Sequence, residues 1–142
     1  MVFNINPYVG IRDDLTFNSS QDDVQVLFGS YLSLSKTGKF IVDYYDDLQL
    51  IVTFNLTDKK AIEYIVLKPS ILQFEGTDLL SLTFKEAENL MKKMDANSRF
   101  YSDRSFYSEK FGFHIYSEDS KNWRLKPITS VGVFSQGDKH RF

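Results

Sequence analysis

The chain has 142 residues, a formal net charge of −2 and 42% apolar residues, enough for one domain or for two very small halves that share a core. It contains no cysteine, which excludes a disulfide framework and a thiolate metal site. The segment Met1 to Pro7 has neither the basic stretch nor the apolar core of a signal peptide, and no run approaches the ~18 apolar residues needed to cross a bilayer; a soluble cytoplasmic protein with no membrane partner is expected.

Charge is unevenly distributed. Residues 1–58 carry eight acids against three bases (Arg12, Lys36 and Lys39), whereas residues 59–142 carry eleven acids and fourteen bases. No continuous basic face is implied, so nucleic acid is not expected as a direct ligand. An acidic half suits a basic protein partner, because complementary potentials steer encounter; solvated aspartate-rich loops are the plainer reading.

In chain order, Pro7-Tyr8-Val9-Gly10 reads as a turn leading to Ile11 and to Leu15-Thr16-Phe17. A short helix of roughly ten residues follows, capped by Asn18 or Ser19 with Asp22 three residues beyond Ser19, and closed by Gly29. Its apolar face is Val24, Leu27 and Phe28. Tyr31 to Ser35 reads as a loop or a short strand, and Lys36-Thr37-Gly38-Lys39 as a turn. Three antiparallel strands are predicted at Lys39–Tyr44, Leu48–Phe54 and Ala61–Leu67. In the second of these, Leu48, Leu50, Val52 and Phe54 alternate with polar or half-buried positions.

After Lys68-Pro69-Ser70 the order recurs. Ile71 to Phe74 is a short strand or extended link, Glu75 to Asp78 a turn, and Thr83-Phe84-Lys85-Glu86 a capping box for a helix with Ala87, Leu90, Met91 and Met94 on one face. Leu82-Thr83-Phe84 repeats Leu15-Thr16-Phe17 at a spacing of 67. Phe106-Tyr107 to Tyr116 is a weaker copy of Asp43-Tyr44-Tyr45 to Phe54, at a spacing of 63. Ile62, Ile65 and Leu67 fall on Ile128, Val131 and Val133 at a spacing of 66. Recurrence in one order predicts an α+β fold: an antiparallel sheet from two tandem helix-plus-β-meander repeats, with the short helices on one face and the other face open. The whole chain is read as a single domain, 1–142, with an internal repeat of about 1–68 and 69–142.

No catalytic motif stands out. His114 lies within a predicted strand and His140 in a tail expected to fray; no Gly-x-Ser-x-Gly elbow and no glycine-rich phosphate loop is present. Asp43, Asp46 and Asp47, with Asp13 and Asp14 nearby, are candidate oxygen ligands for a divalent cation, although an Asp-rich hairpin turn accounts for them as well. Many aromatics stand beside polar residues, as interface anchors do. The group Lys121 to Lys126 around Trp123 is too sparse to indicate RNA stacking.

A Leu-Thr-Phe turn, a capped short helix ending near Leu27-Phe28-Gly29 and a Tyr44-Tyr45-Asp46-Asp47-Leu48 strand entry resemble the helix-plus-meander module. That module occurs in β-lactamase inhibitory protein and in outer-membrane assembly lipoproteins. Two in tandem resemble the inhibitory protein, and small cytoplasmic proteins of this appearance occur among bacterial immunity proteins. The resemblance implies a non-enzymatic protein-binding protein without a cofactor, neutralising a cognate toxin such as a basic nuclease domain. The inhibitory protein's disulfides are missing here, which argues against a secreted β-lactamase as target. By the same resemblance the contact residues are Tyr44, Tyr45, Asp46, Asp47, Tyr107, His114, Tyr116 and Trp123. The alternatives are a metal-dependent hydrolase using Asp43, Asp46 and Asp47, and a structural or regulatory homodimer paired through its open sheet.

Overall fold

The computed structural model describes residues 2–138. Helix α1 spans Gln21–Phe28 and helix α2 spans Phe84–Met94. Both begin with a capping box. In α1 the Ser20 hydroxyl accepts the Asp23 N–H while the Asp23 carboxylate accepts the Ser20 N–H. Thr83 and Glu86 do the same for α2. The first cap is therefore Ser20, one residue beyond Ser19 and two beyond Asn18. The reason is local: the Ser19 hydroxyl is already engaged, accepting from Thr16 N–H and donating to the Asp14 carbonyl. Gly29 ends α1 at φ 71°, a conformation in which a side chain would be strained.

Eight strands form one antiparallel sheet. They are β1 Leu32–Lys36, β2 Phe40–Tyr45, β3 Leu50–Asn55, β4 Ala61–Val66, β5 Arg99–Ser102, β6 Ser105–Ser108, β7 Phe113–Tyr116 and β8 Ser130–Phe134. Their spatial order is β5-β6-β7-β8-β4-β3-β2-β1. Each half of the chain thus supplies a four-stranded meander, and the last strands of the two, β4 and β8, pair at the centre through Val66–Val131, Ile65–Gly132, Tyr64–Val133 and Glu63–Phe134. Around this sheet, Phe3–Asn4 pairs in parallel with Leu72–Phe74, and Gly10–Arg12 forms a small antiparallel pair with Leu15–Thr16.

The register sorts side chains onto two faces, because cross-strand partners point the same way. On one face lie Asp43 and Tyr45 of β2, Leu50 and Val52 of β3, Tyr64 and Val66 of β4, Val131 and Val133 of β8, Phe113 and Ile115 of β7, and Phe106 of β6, all buried. Both helices cover this face. Phe28 of α1 packs edge-on against Tyr45 at 5.6 Å, and Phe84 of α2 stacks on Phe100 at 5.8 Å, while Phe100 meets Phe106. Phe74 from the linker packs on Phe113 at 4.8 Å and Phe17 on Tyr64 at 5.6 Å, so the flanking segments share the same core.

Three sequence expectations need adjustment. Asp46–Leu48 is a 3-10 turn closed by Gln49 at φ 48°, so β3 begins at Leu50 rather than Leu48. Of the segment Tyr31 to Ser35, read as a loop or short strand, the strand is Leu32–Lys36, and β5, which the sequence reading did not anticipate, is a second fully exposed edge strand. The spacing of 66 between Ile65 and Val131 sets residues of opposite faces against each other: Ile65 lies opposite Gly132 away from the helices, whereas Val131 is buried beneath them. In contrast the spacing of 63 preserves the faces, since Leu50 and Phe113 are both fully buried on the helix side.

Leu50→Ala and Phe113→Ala should lower stability by about 2–5 and 3–5 kcal/mol, the usual cost of truncating fully buried side chains. Urea denaturation would check this, and an unmoved midpoint for either variant would contradict the packing described. The caps make a second prediction. Hydrogen bonds from the Thr83 backbone and side chain hold the Glu86 carboxyl below its ordinary pKa of 4.5, and Ser20 does the same for Asp23. A depressed carboxyl stabilises above its unfolded pKa and loses that contribution as pH falls through the folded value. Glu86→Gln should therefore flatten the fall in stability below pH 4.5, read from melting temperatures along an acid series.

Candidate functional site

The face turned away from the helices carries one continuous row of cross-strand neighbours: Arg99, Tyr107, His114, Gly132, Ile65, Ile51, Tyr44 and Leu32, one from each of the eight strands. A second row runs beside its middle as Phe134, Glu63, Thr53 and Val42. Ile65, Ile51, Tyr44 and Val42 are half-buried, in contrast to the fully enclosed residues on the helix side of the same strands.

The organising feature is the pair His114–Glu63. His114 stands on β7 and Glu63 on β4, with β8 between them, yet Nε2 lies 2.8 Å from Glu63 Oε2. The ring bridges this gap because residue 132 is glycine: a Cβ there would fall 2.1 Å from His114 Nε2 and 2.6 Å from Cε1. The imidazole lies over the backbone of β8, flanked by Phe134 in a stacked arrangement at 6.3 Å and by the edge of Tyr101 at 6.1 Å. His114 and Glu63 are only 8% and 3% exposed, so the pair is enclosed by its aromatic surroundings. Such a pair fixes the orientation of the ring.

Of the residues singled out in sequence, Tyr44, Tyr107, His114 and Tyr116 share this face, and Asp46 and Asp47 are exposed in the turn that ends β2. Tyr45 is a correction: it lies on the helix face, 1% exposed, because strand alternation turns it opposite to Tyr44. Its hydroxyl donates to Asp43, and burial together with that carboxylate pushes its pKa up. Trp123 is a second correction. It sits half-buried in the 3-10 turn Trp123–Leu125 with its ring edge-on to Phe84 at 4.8 Å, on the helix side of the molecule, and neighbouring Arg124 pairs with buried Glu88. His140 lies outside the described residues.

The aspartates part company. Asp43 is fully buried beneath α1, accepting from the Gln21 amide at 2.9 Å, the Gln25 amide at 3.3 Å and the Tyr45 hydroxyl at 3.4 Å, while Asp46 and Asp47 face solvent. Among the described residues no three His, Asp or Glu side chains come together in a way that could hold a metal ion. None of those helices is long and apolar enough to cross a membrane. No family model, curated protein or solved structure matches this chain.

Sequence reasoning passed over Glu63, Gly132, Ile51 and Ile65. A lone glutamate between apolar neighbours in Ala61 to Val66, and a glycine inside the run Val131 to Phe134, were the available signals. Gly132→Ala should displace the His114 ring from Glu63 and lower stability by about 1–3 kcal/mol, as overpacking does. Combined with His114→Ala the three closest atoms facing the alanine methyl are gone, so most of that increment should vanish in a double-mutant cycle; purely additive losses would mean the ring does not rest on Gly132.

Proposed function

We propose that this chain is a non-enzymatic binding protein built from two tandem helix-plus-meander units, about 1–68 and 69–142. Its most specific form is an immunity protein that neutralises a cognate bacterial toxin in the cytoplasm. The observation that carries this reading is the cross-strand row on the open face. Tyr44, Ile51, Ile65 and Tyr116 present half-buried apolar surface on rigid strands, next to a turn with two exposed carboxylates. Strand-borne aromatics lose little conformational freedom on binding, and acidic groups at a rim raise the association rate with a basic partner. A basic nuclease domain fits best, because Asp46 and Asp47 would occupy the place of substrate phosphates in its cleft.

The two-unit reading is supported by three pairs at one spacing of 63. Ser20 and Thr83 cap the helices, Leu50 and Phe113 sit in β3 and β7, and Tyr44 and Tyr107 sit in β2 and β6. These strands hold corresponding places when the sheet is counted inward from its two edges. The burial of Asp43 apart from Asp46 and Asp47 gives the metal-hydrolase alternative no comparable support.

The test is co-expression with the effector encoded beside its gene. Wild-type chain should rescue growth, whereas the quadruple variant Tyr44→Ala, Tyr116→Ala, Asp46→Lys and Asp47→Lys should not, with circular dichroism and melting temperature little changed. In binding kinetics the lysine substitutions should slow association and flatten its salt dependence, and each tyrosine truncation at a buried anchor should speed dissociation, costing about 2 kcal/mol. Rescue by the folded quadruple variant would remove this face as the interface.

A further inference from the structure

The outer edge of the sheet at β1 is a second surface, distinct from the open face. All five residues of Leu32–Lys36 are exposed, with Leu32 at 60% and Leu34 at 48%. The strand pairs with β2 on one side only, leaving a row of backbone N–H and C=O groups on the other. Edge strands of this kind pair with further strands unless something blocks them. Here the strand is Leu-Ser-Leu-Ser-Lys, uncharged until its last residue, and its register with β2 shifts between Ser33 and Ser35, so Leu34 is the bulged residue without a partner in β2.

Charge identifies what completes it. At one end of the β1–β2 hairpin the turn carries Lys36 and Lys39; at the other, Asp46 and Asp47 end β2. Arg12, the remaining base of residues 1–58, is bound to Asp14, so the hairpin holds both other bases of that half at one end. Among the described residues Lys36, Lys39, Asp46 and Asp47 make no ion pair. A hairpin positive at one end and negative at the other is complementary to itself when turned antiparallel. We propose that β1 is a homodimer interface: two copies pair antiparallel edge to edge, the basic turn of each lying beside the acidic turn of the other. Full overlap of the two five-residue strands sets Leu34 beside Leu34 at the two-fold axis. Lys36 of one copy then lies roughly two strand spacings, about 10 Å, from the other copy's acidic turn, which is about one Debye length at moderate salt. A parallel or shifted pairing would set like charges together.

This inference needs no toxin; it shares Asp46 and Asp47 with the proposed function but is read from the oligomeric state of the chain alone, so the two can fail separately. Sedimentation velocity of the full chain at low salt should give twice the 16.5 kDa of one copy, shifting toward monomer as salt is raised. Leu34→Lys and Leu34→Glu should each be monomeric with unchanged circular dichroism, since like charges would meet at the axis, and mixing the two folded variants should restore the dimer. Lys36→Glu with Lys39→Glu should likewise dissociate it, and adding Asp46→Lys with Asp47→Lys to the same chain should bring it back. A wild-type chain that stays monomeric up to its solubility limit overturns the proposal. So does a dimer that Leu34→Lys leaves intact.

Discussion

The antiparallel pairing of β4 with β8 is the constraint on which the rest depends. It is where the backbones of the two meanders meet, and its register fixes every row that crosses the sheet. On the helix side it sets Val66 beside Val131 and Tyr64 beside Val133, all fully buried. On the other side it sets Glu63 beside Phe134 and Ile65 beside Gly132. A slip of one residue would exchange these sets, carrying a glutamate into the helix-covered core and valines to the surface. The ladder continues beyond the strands through the Ser135 N–H to the Ile62 carbonyl at 2.9 Å. Apolar burial beneath the helices supplies the driving force for this register, and the glutamate penalises its alternatives.

The helices are held by unlike devices. Helix α1 has eight residues and only Val24 buried along it, too little apolar surface to dock a helix firmly. A polar anchor makes up the difference, as Gln21 and Gln25, one turn apart, both donate to the enclosed carboxylate of Asp43. Helix α2 is longer and buries Phe84, Ala87 and Met91; its enclosed acid, Glu88, is on the helix itself and is met by Lys92 one turn along and by Arg124 from the 3-10 turn. One helix therefore reaches for a charge in the sheet, and the other carries its own charge outward to two cations. A buried carboxylate left without partners would be costly in either place.

The sequence made the helices and the inner strands legible, because capping boxes and period-two alternation are local signals. The antiparallel, helix-flanked α+β character followed from them. What it obscured is instructive. Ser19 and Ser20 are both good caps, and the choice between them rests on Ser19's bond to Thr16 N–H, a contact with the preceding turn. Tyr44 and Tyr45 are equally aromatic and adjacent, so only the register of β2 with β3 tells that one is open and the other enclosed. Trp123 resembled an exposed anchor because its neighbours are basic and polar; Phe84, thirty-nine positions earlier, is what it covers. The His114–Glu63 pair was invisible because it depends on the absence of a side chain in a third strand.

That third-strand glycine also lets a side chain cross the junction of the two meanders on the open face. A histidine on an antiparallel sheet ordinarily meets its direct cross-strand neighbours at about 5 Å and its diagonal ones at about 7–8 Å. Here it lies across β8 and ties β7 to β4, so a side-chain bond spans the same junction that the backbone ladder closes. In the neighbouring part of the row Ile65, Ile51 and Tyr44 are joined by strand pairing, and Tyr44 interacts with Asp46 of the turn that follows it. The open face thus carries an aromatic and histidine region on one meander and a half-buried strip of Ile65, Ile51 and Tyr44 on the other. In the binding role proposed, the first would constrain orientation through shape and the second would contribute area that leaves water on contact.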